Sequence, residues 1–343
     1  MLRQRERATS TGVRVLVAER APSHAVAYVD QFGGDDSAGS APTGVDYQYR
    51  ANLSGDLDAD VIHLAAIDSV IGGPKTPEHV RRRRAAALVK SLKRDRIALV
   101  RTVFGGTVST SPAHAIVDGA TTSFVVLSPT TRTPDARRTH LVPHSHLRDR
   151  FLGYPRSTTV PGRIVFASPR TLDRAYEGPL KVFAQAGLPG YTLRIVGSVP
   201  APLTMSFQRT IGRYPDKISL QDGPNSDALR VQEISRAELV VVGAPDSYDA
   251  LSTVMLALSL DRPVLIEDTA GTRSLADEVG HEWVHLHPGR LTADSLAAAT
   301  AHLRHMPPTG RPNLDARAPN RIADQYASVF REAAAAASSP PQK

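Results

Sequence analysis

The chain contains no cysteine. That absence excludes disulfide scaffolds, cysteine–zinc sites, iron–sulfur clusters and cysteine nucleophiles. Nor is there an apolar run approaching the ~18 residues that a membrane helix needs. The opening stretch, MLRQRERATSTG, is charged and has no apolar segment behind it, so no secretory signal is expected. Aromatic residues are scarce, at 5% with one tryptophan. What remains is ordinary globular material: 343 residues, 41% hydrophobic and 22% charged. At roughly 100–200 residues per domain this predicts two domains, each able to bury a core, in a soluble intracellular protein.

The net charge of +7 is unevenly spread: residues 1–150 carry +6 and the rest +1. Much of the excess sits in Arg81, Arg82, Arg83 and Arg84, followed by Lys90, Lys93, Arg94 and Arg96. Alternation with Ala85–Ala87, Leu88, Val89 and Leu92 predicts an amphipathic helix with a basic face. Two readings of that face stand side by side, a solvated surface and a patch that rests on acidic lipid head groups. Nucleic acid is not expected as a partner, because no RNP, helix-turn-helix or basic-plus-aromatic stacking pattern accompanies the charge.

Short apolar runs alternate with helix-sized stretches almost throughout. In the first half the strand-like runs are VRVLVA (Val13–Ala18), DVIHLA (Asp60–Ala65), IALVRTV (Ile97–Val103), SFVVL (Ser123–Leu127) and THLVP (Thr139–Pro143). In the second half they are Arg163–Ala167, Leu193–Val196, Lys217–Leu220, Leu239–Val242, Val264–Ile266 and Trp283–Leu286. Helix candidates there are Leu180–Ala186, Asp227–Ser235, Ser252–Ser259 and Thr292–His302. Nearly continuous β-branched runs separated by helices predict parallel strands buried on both faces, in α/β doubly wound layers. The reading gives Rossmann-like domains over 12–152 and 160–306, joined through the Gly/Pro-bearing stretch Leu152–Gly162. A helix over 318–334, with Ile322, Tyr326 and Phe330 on one side, is expected to cross back to the first domain. Residues 1–11 and 335–343 are expected to be disordered tails. In such folds ligands bind at the carboxyl ends of the strands, against helix N-termini.

One motif invites a wrong reading. His281-Glu282-Trp283-Val284-His285 matches H-E-x-x-H, with His287 beyond it. Zinc chemistry needs the two histidines one turn apart on a helix. Gly280 before the motif, Pro288-Gly289 after it, and the alternation of Val284 and Leu286 with His285 and His287 predict a strand instead. There the two histidines lie ~13 Å apart, too far to share a metal.

A longer pattern carries more information. In order come GRIVFASPR (Gly162–Arg170), LRIVG (Leu193–Gly197), Asp227 heading a helix before AELVV (Ala237–Val241), PDSYDALST (Pro245–Thr253), and ALSLDRPV (Ala257–Val264). This resembles the donor domain of GT-B nucleotide-sugar glycosyltransferases of the bacterial exopolysaccharide and glycolipid type. The first half is similar more loosely, through DVIHL (Asp60–Leu64), LVRTVFG (Leu99–Gly105) and VPHSHLRDRF (Val142–Phe151). The resemblance spans about 13 to 305. It implies a GT-B fold, two α/β Rossmann-like domains facing a cleft. It implies a GDP- or UDP-sugar as donor and, as acceptor, a polysaccharide or polyprenyl-linked glycolipid at the cytoplasmic membrane face. No cofactor or metal is implied.

The physics of such a reaction asks for positive charge around a leaving diphosphate. Ser252 and Thr253 are expected to open a helix whose free N–H groups meet the phosphates. Plain N-capping is the competing account. Arg170 and Arg174 are the candidate cations, and Asp246 and Asp249 the candidate ligands of sugar hydroxyls. His63, His144 and His146 follow strands, and His63 and His144 are weak candidates for a general base. Departures from the family pattern are plain. Glu177 stands where a phosphate-binding lysine falls, and Tyr248 and Leu256 stand at the positions of a paired Glu motif. Asp261 replaces the glycine of "FGRP", and Phe104 the histidine of "TVHN". A catalytically impaired relative that serves as partner or regulatory subunit is therefore the rival expectation.

Overall fold

The computed structural model describes residues 12–20, 31–32, 44–51, 53, 55, 57–105, 111–154, 156–171, 177–199, 201–223, 226–243 and 248–339. They form two compact units, one made of Met1–Ser23, Ala27–Pro143 and Asn320–Lys343, the other of His24–Val26 and His144–Pro319. The change of unit falls at Pro143/His144, earlier in the chain than the Leu152–Gly162 joint read from the Gly/Pro content.

The first unit contains β1 (Val13–Val17), β2 (Val45–Tyr49), β3 (Val61–Leu64), α1 (Ile67–Ile71), α2 (Glu78–Asp95), β4 (Ala98–Val103), α3 (Pro112–Ala120), β5 (Ser123–Val126) and β6 (Thr139–Leu141). The second contains β7 (Arg163–Thr171), α4 (Glu177–Ala186), β8 (Thr192–Ser198), α5 (Ala201–Arg213), β9 (Ile218–Gln221), α6 (Asp227–Ser235), β10 (Leu239–Val241), α7 (Tyr248–Ser259), β11 (Val264–Glu267), α8 (Ala270–Val279), β12 (Val284–His287) and α9 (Ala293–His305). The last helix, α10 (Pro319–Ser338), returns to the first unit.

Each unit holds one six-stranded sheet, ordered β2-β1-β3-β4-β5-β6 and β12-β11-β10-β7-β8-β9. All pairings are parallel, for example Val15 with Val61 and Val165 with Arg194. The α/β, doubly wound fold expected from the sequence is the one observed. The strand order reverses between β1 and β3 in one sheet and between β7 and β10 in the other, where ligands settle in open parallel sheets.

The strands owe their place to burial on both faces. Every residue of β3 and β5 is buried, and in β7 Ile164 and Phe166 join one layer of the second core while Val165 and Ala167 join the other. That is the two-residue period of a strand. β2, absent from the sequence reading, is an edge strand in which Asp46 and Gln48 are exposed and alternate with half-buried Val45, Tyr47 and Tyr49.

Helix α10 buries Ile322, Tyr326 and Phe330. Phe32 packs edge-on against Tyr326 and Phe330, with centroids 4.8 and 5.8 Å away, and Tyr47 and His63 meet the Phe330 ring at 6.0 and 5.7 Å. Full burial of rings like these stabilises by about 1.5–3 kcal/mol each. The expected tail at 335–343 is corrected: the helix continues to Ser338, because a run of alanines has the strongest helix propensity. Residues 1–11 and 340–343 lie outside the described residues.

The H-E-x-x-H stretch is not helical. Val284–His287 is strand β12, and His281 is exposed and bonded to Asp277, Nε2 to Oδ1 at 3.0 Å. Among the described residues no group of three or more His, Asp or Glu is arranged to hold a metal.

Candidate functional site

At the reversal point of the second sheet, β7 delivers Arg170 near its end and β10 leads into α7. The Arg170 side chain lies outside the description, and Arg174 and Asp246 lie outside the described residues. Asp249 sits in the first turn of α7.

Ser252 and Thr253 require correction. Helix α7 begins at Tyr248, four residues before the expected start, so the pair occupies its second turn and is 1% exposed at each position. Their N–H groups therefore fall inside the helical ladder, away from the end of the helix. Thr253 Oγ1 donates to the Asp249 carbonyl at 2.8 Å, the habit of a threonine inside a helix. Ser252 Oγ is buried with no hydrogen-bond partner among the described residues.

The side chain that this end of the sheet holds most tightly is one that the sequence reading passed over. Arg230, in the first turn of α6, is 2% exposed. Its Nη1 lies 4.0 Å from Asp227 Oδ1. Nε and Nη2 are buried without a hydrogen-bond partner among the described residues. Burial lowers its pKa, and the charges of Asp227, Tyr248 and Asp249 act in the opposite sense. A guanidinium out of water with open donors is costly unless an anion meets it. Its protonation is not in question, since arginine stays charged throughout the working range.

Tyr248 stacks on the imidazole of His144, with ring centroids 5.4 Å apart and planes 20° from parallel. His144 donates Nδ1–H to the Ser145 carbonyl at 2.7 Å, leaving Nε2 buried and without a partner among the described residues. Burial pushes its pKa down to about 4, so the ring is neutral near pH 7. Arg150 is half-buried, and burial lowers its pKa too while Tyr248 raises it. The segment is pinned by the His146 amide to the Arg317 carbonyl at 2.8 Å and by the Leu147 amide to Ser259 Oγ at 2.8 Å. Arg317 in turn grips Glu278 through Nε and Nη2, at 2.9 and 2.7 Å.

The other expected residues have different employment. His63 is fully buried, wedged edge-on against Phe32 and Phe330, with Nε2 2.9 Å from Thr102 Oγ1. Burial pushes its pKa down to about 3. The expectation that it faces a cleft as a base is overturned, because a ring sealed among aromatics reaches no substrate. His146 is 8% exposed and accepts at Nδ1 from the Arg148 amide at 3.4 Å. Leu256, at one of the paired-Glu positions, is wholly inside the core. Asp261 adopts the left-handed φ of 58° that suits a glycine, and its carboxylate receives Arg311 Nε at 3.1 Å.

The basic helix is α2, buried through Ala85, Leu88 and Leu92. Arg81 is not part of its open face. It donates to the Gly72 carbonyl (3.0 Å), Glu78 (3.1 Å) and Asp68 (2.9 Å). Arg84 is exposed, with Nη1 3.5 Å from the Ile71 carbonyl. Arg82, Arg83, Lys90 and Lys93 are exposed, and Arg94 pairs with Asp95.

No protein-family model matches the chain. Among characterised proteins it is 32% identical over 198 residues to a GDP-mannose:glycolipid 4-beta-D-mannosyltransferase of Xanthomonas campestris pv. campestris. The aligned part is 57% of this chain and 56% of the relative, so the chain spans about half the length of the curated relatives it matches. Among solved structures it is similar to Anabaena HepE in complex with UDP and glucose, with a TM-score of 0.55 at 13% identity over 95% and 97% of the two chains. AviGT4, a glycosyltransferase of avilamycin A biosynthesis, gives 0.53 at 16% identity over 94% and 98%. A Listeria monocytogenes protein described as a candidate UDP-N-acetylglucosamine 2-epimerase gives 0.57 at 11% identity over 94% and 97%. Two parallel six-stranded sheets and these likenesses together show that the chain has the GT-B fold.

Proposed function

We propose that the chain transfers a sugar from a nucleotide sugar to a glycan or lipid-linked glycan, binding the donor with its second unit and the acceptor with its first. The observation that carries the reading is Arg230, a buried guanidinium with two donors that have no partner among the described residues, near the start of α7 at the carboxyl end of the second sheet. A nucleoside diphosphate supplies the anion that this arrangement lacks. As the bond between the anomeric carbon and the diphosphate oxygen breaks, its electron pair stays with the diphosphate. Arg230 then meets the growing charge. The stacked His144–Tyr248 pair offers a flat surface beside them. The mannosyltransferase relative acts with GDP-mannose, and the HepE structure holds UDP, so GDP- and UDP-sugars are the donors to try first. The fold alone does not separate transfer from epimerisation; the relative's sequence favours transfer.

Calorimetry with GDP, UDP, ADP and their sugars tests the reading. A GDP- or UDP-sugar binds the native chain, and Arg230→Met weakens it at least tenfold. Silence with every nucleotide sinks the transferase and favours the rival, a partner or regulatory subunit. That rival draws support from Leu256, sealed in the core where the family resemblance puts a carboxylate.

Among the described residues no helix is long and apolar enough to cross a membrane. A peripheral seat at the inner face of the plasma membrane is proposed through Arg82, Arg83, Arg84, Lys90 and Lys93, each worth about 1 kcal/mol near an anionic surface. Flotation with anionic liposomes should be lost when Arg82, Arg83 and Arg84 become Ser. Unchanged flotation would retire the idea.

A further inference from the structure

A cavity of about 700 Å³ lies at the opposite end of the second sheet from Arg230. Gly162, Tyr191, Glu238, Pro263 and Trp283 line it, and each stands immediately ahead of a strand: β7, β8, β10, β11 and β12 in turn. The cavity therefore sits at the amino ends of the strands. Arg230 belongs to the helix that follows the carboxyl end of β9. All of the lining falls within the second unit. Small-molecule pockets span roughly 300–1,000 Å³, so the volume suits one.

What this lining lacks is an acceptor. Trp283 is 3% exposed, and its Nε1 is buried with no hydrogen-bond partner among the described residues. A buried indole N–H ordinarily finds an acceptor, and it can only donate. Arg262, half-buried, is held by donating from Nε to the Leu260 carbonyl at 3.1 Å and from Nη1 to Thr159 Oγ1. Arg304 lies over the Tyr191 ring, 5.0 Å from its centroid. The carboxylates of the lining are already engaged. Glu238 receives the Gly162 amide at 2.6 Å and the Tyr191 hydroxyl at 3.0 Å, and both oxygens of Asp261 receive Arg311 Nε at 3.1 Å. Pro161, Pro263, Leu303, Pro307 and Pro308 supply apolar wall.

This chemistry selects the occupant. An anion is drawn by Arg262 and Arg304, whereas a polyanion is opposed by Glu238 and Asp261. One carboxylate meets both conditions, and guanidinium groups suit its geometry. The proline and leucine walls ask for an apolar remainder.

We propose that this cavity binds a small organic acid, a single carboxylate on an apolar body. The carboxylate accepts from Trp283 Nε1 and from the Arg262 and Arg304 guanidinium groups, and the body rests on the apolar walls. Nothing in the proposal depends on the transferase reading.

Trp283 is the one tryptophan of the chain, so tryptophan emission reads the cavity wall directly. Phenylacetate and cyclohexanecarboxylate are the probes; phenylacetamide lacks their charge and acetate their body. On the full chain at least one probe should change the emission saturably and bind at least tenfold more tightly than either control. Trp283→Phe, which keeps a ring and removes the N–H, should weaken that probe by about tenfold in calorimetry. Arg304→Gln, at an exposed residue, should weaken it by about threefold. Arg230→Met should leave it within about twofold of native. Absence of saturable binding, or equal binding of phenylacetamide, overturns the proposal. So does native affinity in a folded Trp283→Phe, and if that variant unfolds, native affinity in Arg304→Gln overturns it instead. Loss of the probe in Arg230→Met overturns it as well, since the acid then binds at the other end of the sheet.

Discussion

Two buried arginines, Arg101 in the first unit and Arg230 in the second, stand in opposite electrostatic settings. In the first, Arg101 meets Asp118, and Arg81 meets Asp68 and Glu78. In the second, Arg230 is buried with Asp227 Oδ1 4.0 Å from Nη1, and its Nε and Nη2 have no hydrogen-bond partner among the described residues. Paired charge is polar but neutral. Uncompensated charge stores an unmet demand for an anion. Within one kind of doubly wound layer an arginine is thus balanced in place or left to call for an anion, depending on whether it is given its carboxylate.

Substituting each arginine sharpens this contrast. Arg101→Met should destabilise the most, by about 3–5 kcal/mol, because it strands Asp118 as a buried, unpartnered anion. Chemical denaturation would read the loss, and a native midpoint would contradict the pairing. Arg230→Met should leave the midpoint unchanged or slightly higher, since it removes open donors from a dry site. It should still weaken binding of the donor diphosphate by about 1.5–3 kcal/mol, the range for hydrogen bonds to charged groups. A midpoint that falls as far as that of Arg101→Met would erase the distinction between the units.

Acid gives a smaller and graded effect. His63 in the first unit and His144 in the second have folded pKa values near 3 and 4, well under the unfolded value of about 6.5. Below pH 6.5 the unfolded chain therefore binds more protons, and stability falls with pH until each folded pKa is reached. Each ring adds about 1.4 kcal/mol per pH unit to that loss. Thermal unfolding between pH 7 and 4 measures it, and replacing His63 with Gln should flatten the slope by one group's share. Smallest of all is Asp261→Gly. Relief of the left-handed φ should offset the lost contacts to Arg311 and Arg148, leaving a net change of about 0.5 kcal/mol or less.

Much of the fold could be read in advance where burial and pattern coincide. Strands such as Val61–Leu64 and Ala98–Val103 announce themselves, because a strand covered on both faces has to be apolar throughout. The edge strand Val45–Tyr49 does not, since half of its residues meet water. Helix α8 also escaped, although Thr269 and Thr272 cap it reciprocally, because its ten residues are largely polar. The site was less legible. Ser252 and Thr253 were marked for their chemistry, yet the helix begins earlier, at Tyr248, and folds them inward. Arg230 and His114 went unmarked, since an arginine or a histidine on a helix carries no sign of the neighbour that will enclose it. The hydrogen bonds of His114 join positions tens of residues apart, and for Arg230 two buried donors have no partner among the described residues.

The return of α10 sets an order of events during synthesis. Phe32, Tyr47 and His63 lack their covering rings until residues 326 and 330 have left the ribosome, by which time all of His144–Pro319 has been made. The unit that starts first is thus the last to mature, and a nascent chain halted near Pro319 should display a finished second layer beside an unsealed first one.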